Sequence, residues 1–136
     1  MNMTLGNWDP AAEQAKTNLT LDAALVQRLI GISRANQLDQ LGDLLSADEQ
    51  QVYAGLMQLP KESWFGQAQS LGDDEIFDLM RFLTKAEQLP GWEAGANSPV
   101  VWLGKVLKQR GTGIPRELVL WIKENSDNRF LPHGPL

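Results

Sequence analysis

Three groups of residues carry enough chemistry to ask what they could do. The first is acidic: Asp73, Asp74, Glu75 and Asp78. Asp74 and Asp78 are four apart, so a helix places both carboxylates on one face. Oxygen-rich clusters of this kind suit magnesium or manganese. A metal-dependent hydrolase could use Asp73, Asp74 and Asp78, completed by Glu87 or Glu93. Asp73 and Glu87 would lie about 20 Å apart on one helix, at ~1.5 Å per residue, so a second element would have to close the site. The plainer reading is that acids in a first turn complement the positive end of a helix and cap its free amides. A di-metal bundle would also want Glu-x-x-His pairs on inward faces. The chain has one histidine, His133, and it falls outside any predicted helix.

The second group is basic: Lys105, Lys108, Arg110 and Arg116. Residues 1–90 carry 13 acids and 6 bases, whereas residues 91–136 carry 4 acids and 6 bases. The last third is therefore locally basic in a chain of net charge −5. Phosphate binding is one use for such a cluster. Complementing the negative end of a helix is the simpler one.

The third group is the tail, Arg129-Phe130-Leu131-Pro132-His133-Gly134-Pro135-Leu136. It holds three apolar side chains, two prolines and no acid. Unstructured termini are usually polar, and this one is apolar enough to pack. Its prolines restrict the chain and lower the entropy cost of docking. The expectation is an extended segment lying in a groove, of its own body or of a partner. Phe130 and Leu131 would be the pegs, Arg129 their polar neighbour, and His133 belongs to the same interaction set, with a catalytic role as its lesser alternative. Trp92, in a loop, would either cover the core or anchor a partner.

Other chemistries find no support in the residues. The chain has no cysteine, which removes thiol catalysis, disulfides, thiolate zinc sites and iron–sulfur clusters. GWEAGAN, residues 91–97, lacks the Gly-Lys-Ser/Thr ending of a P-loop. Gly111-Thr112-Gly113 follows no strand, and no serine sits in a Gly-x-Ser-x-Gly setting. No cofactor is expected. A pI near 4.8 argues against nucleic acid. The first residues lack the basic and apolar regions of a secretory signal, and no apolar run approaches the ~20 residues that span a bilayer. A cytoplasmic protein with a protein partner, or a second copy of itself, is the expectation.

The elements that must position these groups are helices. Asp9-Pro10 starts a short helix through about Asn18. Asp22 caps a second, with Leu21, Leu25, Leu29 and Ile32 on one face. Leu38 to Leu45 forms a further stripe. Ser46-Ala47-Asp48-Glu49 is a capping box. Pro60 opens a helix carrying Trp64, and Asp73-Asp74-Glu75 opens the strongest one, through Ala86. Ser98-Pro99 and Pro115 start the last two. Trp64, Trp102 and Trp121 fall within helices and should fill the core. Alternation of Val, Ile, Thr and Tyr at strand spacing is missing. The predicted fold is all-α: one domain, residues 1–136, an irregular orthogonal bundle of about seven or eight short helices with a tail at 129–136. The predicted role is a non-enzymatic interaction or regulatory module, with the metal-dependent hydrolase as alternative.

Overall fold

A computed structural model describes residues 19–134. The predicted helix after Asp9-Pro10, and Trp8, lie outside the described residues. Within them every regular element is a helix and there is no strand. Seven α-helices follow in order: α1 Ala23–Arg34, α2 Leu41–Leu44, α3 Ala47–Tyr53, α4 Lys61–Ala68, α5 Asp73–Ala86, α6 Pro99–Gln109 and α7 Arg116–Asn125. Short 3-10 turns at Leu38–Gln40, Ala54–Gln58 and Gly95–Asn97 join them.

Local chemistry explains most of the boundaries. The Asp22 carboxylate accepts from the Leu25 amide at 2.8 Å and starts α1. At α3 the capping box forms in both directions: Glu49 N donates to Ser46 Oγ, and Ser46 N to Glu49 Oε1, each at 3.1 Å. Gly72 brings no side chain to α5, so only half a box forms there, with Gly72 N donating to Glu75 Oε1 at 3.0 Å. Asn36, at φ 61°, and Gly111, at φ 81°, turn the chain out of α1 and α6 through the left-handed region.

Helix α5 is the centre of the bundle. It packs against α1, α6, α7 and the turn at Leu38–Gln40, while α4 packs on α6. Ile76, Met80, Leu83 and Ala86 face inward as their spacing predicts, and all are buried. Leu79 and Phe82 are fully buried too, whereas Phe77 is only half-buried. A helix with neighbours on several sides needs apolar residues beyond one stripe. Thr84, also buried, satisfies itself by donating to the Met80 carbonyl at 2.8 Å. Trp64 is fully buried, as its helical position predicts. Trp102 and Trp121 are only half-buried at the rim of the same core.

Gly31 lies on the exposed face of α1, and a β-carbon there would touch nothing within 4 Å. The glycine therefore costs helix stability with no packing in return. Gly31→Ala should stabilise the fold by about 0.5–1 kcal/mol. Thermal melting checks it: the variant should melt a few degrees higher, at roughly 3–5 °C per kcal/mol.

Candidate functional site

The end of α5 carries a buried carboxyl with three hydrogen-bond donors around it. Glu87 caps the helix and is 5% exposed. Its Oε2 accepts from Ser98 Oγ at 2.7 Å. Its Oε1 accepts from the Ala94 amide and from Asn128 Nδ2, both at 3.1 Å. Burial pushes the carboxyl above its ordinary range; the bonds from Ser98, Ala94 and Asn128 pull the other way, and nearby Glu93 adds a smaller upward push. One buried carboxylate thus joins the end of α5, the loop after it, the start of α6 and the segment after α7.

Its partners are fixed in turn. Ser98 is the N-cap of α6, accepting from Val100 N at 3.2 Å. Asn128 Nδ2 also donates to the Gly95 carbonyl at 2.8 Å, and Asn128 Oδ1 accepts from Phe130 N at 3.0 Å. The chain leaving α7 is therefore pinned before the tail begins. From Arg129 the tail bends through turns. Leu131 N donates to Asn128 O at 3.1 Å, and Gly134 N donates to Phe130 O. Leu131 is 4% exposed, and Pro132 and Gly134 are buried.

Two glycines allow this close approach to α6. A β-carbon on Gly104 would lie 3.1 Å from Ile114 Cδ1 and 3.4 Å from the Pro132 carbonyl oxygen. Gly134 has φ 81°, and a β-carbon on it would lie 3.0 Å from Val101 Cγ1. Through residue 134 the tail lies on its own chain.

The predicted interaction residues separate. Trp92 is no surface anchor: it is 1% exposed, and its Nε1 donates to the Gln50 carbonyl at 3.1 Å. The loop around it closes over the core, since a large ring loses more by standing in water than the loop loses by ordering. Leu131 is likewise turned inward. Phe130 stays half-buried at the surface, with the Arg129 guanidinium 5.0 Å from its ring centre. His133 is exposed. Arg129 and Phe130, with Leu89, Pro90 and Glu93, line an open cleft of about 510 Å³ that reaches Glu87 and Asn128.

The acidic cluster is dispersed among basic partners. Asp73 accepts from Arg110 Nη1 at 2.9 Å and Thr112 Oγ1 at 3.0 Å, and these bonds hold its carboxyl below the ordinary range. Asp78 pairs with Arg34 at 2.7 Å and Arg81 at 3.2 Å. Glu75 accepts from Gly72 N and from Gln27 Nε2, each at 3.0 Å, and its carboxyl is lowered as well. Asp74 is exposed. Among the described residues no three His, Cys, Asp or Glu side chains converge as metal ligands. The proposed set Asp73, Asp74 and Asp78 is thus not gathered at one point: Asp73 turns to Arg110, Asp78 to Arg34 and Arg81, and Asp74 is exposed. The basic cluster divides too: Arg110 turns back to Asp73 and to the Ala68 carbonyl, 2.7 Å from Nη2.

Sequence reasoning missed the role of Glu87 and did not single out Ser98 or Asn128 as its partners. Their one advance signal is an acid directly after an apolar helix, at a position where α1 carries alanine. Among the described residues no helix is long and apolar enough to cross a membrane. No protein-family model, no curated protein and no solved structure matches this chain.

Proposed function

We propose that this protein is a non-enzymatic interaction module of regulatory type, and that its binding face is formed where the segment after α7 folds back. One observation supports this above others. Arg129 and Phe130 are held at the mouth of a cleft by a buried hydrogen-bond network, with Leu89 and Pro90 beside them. An aromatic ring under a guanidinium, already ordered before binding, is characteristic of residues that dominate protein interfaces. The occupant would be a segment of another protein, or of a second copy, that brings an apolar side chain for Phe130 and an acid for Arg129. This reading places the protein in the cytoplasm and requires no cofactor.

The metal-dependent alternative receives less support, because Asp73 and Asp78 are already engaged by arginines.

The test is the paired variant Arg129→Ala with Phe130→Ala, set beside a chain ending at Asn128. Size-exclusion light scattering across concentration and capture from native lysate provide the readouts. The paired variant should retain its helical signal and melt within a few degrees of wild type, since both side chains are at least partly exposed, while losing the associated species. The truncated chain should melt lower as well, because it also loses buried Leu131 and Pro132. If both chains keep the same associations as wild type, the interaction face lies elsewhere.

A further inference from the structure

The far end of the tail walls a second groove, of about 580 Å³, distinct from the Phe130 cleft. Among the described residues Lys105, Lys108 and His133 line it, and no acid does. That is a local inversion in a chain with 17 acids against 12 lysines and arginines. Lys105 and Lys108 are three apart on α6 and so share a face. His133 reaches them only because the tail lies on α6, so this trio is a product of the fold and cannot be read from sequence spacing.

Outside the groove five bases are matched, whereas Lys61, Arg116, Lys123 and Arg129 form no ion pair among the described residues. Arg28, Arg34, Arg81, Lys85 and Arg110 each pair with a carboxylate. Lys105, Lys108 and His133 make no ion pair or hydrogen bond among the described residues. Two like charges one turn apart repel, and an anion held between them relieves that repulsion. The remaining lining is apolar or small: Val101, Ile114 and Pro132, with Gly104 and Gly113 leaving room. The groove therefore offers positive donors beside a surface for hydrocarbon.

We infer that this groove binds a phosphate monoester carrying a small apolar group. A monoester brings close to two negative charges and three acceptor oxygens, which matches two ammonium groups and an imidazole. A carboxylate brings one charge and matches them less well.

The probe is phenyl phosphate, titrated into ¹⁵N-labelled full-length protein and followed by NMR, with inorganic phosphate and benzoate in parallel. Saturable shifts should appear at Lys105, Lys108, Gly113 and His133. Phenyl phosphate should bind more tightly than either comparison ligand. The double variant Lys105→Ala with Lys108→Ala should bind about tenfold more weakly or worse, as expected for lost hydrogen bonds between charged groups. Both lysines are exposed, so the variant should keep its fold; His133→Ala, which should also weaken binding, is the second variant. Lys123→Ala removes one charge outside the groove and should bind as wild type does. No saturation at millimolar ligand, undiminished binding in the double variant, equal loss in Lys123→Ala, or benzoate binding as tightly as phenyl phosphate would each overturn the inference.

Discussion

Glu87→Ala should destabilise the protein by about 2–4 kcal/mol, while Glu87→Gln should remain within about 1 kcal/mol of wild type near neutral pH. The alanine variant strands three donors at once: Ser98 Oγ, Ala94 N and Asn128 Nδ2. Each buried donor left without a partner costs about 1–3 kcal/mol. The sum is reduced because Asn128 keeps its bond to the Gly95 carbonyl and because water can enter the open cleft alongside. Glutamine retains a carbonyl oxygen for Ala94 and Asn128 and can offer its amide to Ser98 Oγ. It also removes the cost of keeping a charge out of water.

The same pair of variants separates charge from shape through pH. In the folded protein, burial raises the Glu87 carboxyl above its ordinary value. The stability linked to its neutral form is present in full below the ordinary carboxylate value and is lost as pH rises through the raised one. Wild type should therefore lose stability relative to Glu87→Gln as pH rises above the ordinary carboxylate range. Glu49, Asp73 and Glu75, whose carboxyls are lowered, act in the opposite direction and lose their contribution as pH falls. They are common to both proteins and cancel in the difference. Calorimetric melts of the two proteins from that range upward provide the measurement. A constant difference in melting temperature would mean that Glu87 carries the same charge in the folded and unfolded states.

What could be read in advance follows the range of each interaction. Asp22, Ser46 and Ser98-Pro99 announce helix starts because a cap and the amides it satisfies lie within three residues. The apolar spacing of α5 is equally local, so its helix and most of its buried face were evident from the sequence. Glu87 was not, since its partners come from positions 94, 98 and 128, and it was set instead among acids that could hold a metal. Asp73 misled for the same reason: its acidic neighbours are local, whereas the arginine that claims it lies 37 residues away. The tail falls between these cases. Its composition indicated that it should pack, but the choice of surface depends on Gly104, where a missing β-carbon admits Ile114 and the Pro132 carbonyl. A lone glycine within an apolar helix does not reveal what approaches it.

Trp92→Ala should cost about 3–5 kcal/mol, the range for deleting a large aromatic ring from a core. The residue lies in the loop between α5 and α6, yet it is as buried as the tryptophan of α4. Its ring fills space beneath that loop, and its Nε1 ties the loop to the Gln50 carbonyl of α3. The Trp92 amide also donates to Leu89 O at 3.1 Å, which shapes the turn that brings the ring inward. Domains of this size have total stabilities of about 5–15 kcal/mol, so the alanine variant should melt at least about 10 °C lower. Trp92→Phe keeps most of the packing and loses the Nε1 bond, for a cost of about 1–2 kcal/mol. The graded series tests the lid that the burial of Trp92 indicates. A lid gives a large loss for alanine, a smaller one for phenylalanine, and association that falls only as the fold is lost. An anchor gives nearly unchanged melting and abolished association at temperatures where the protein remains folded.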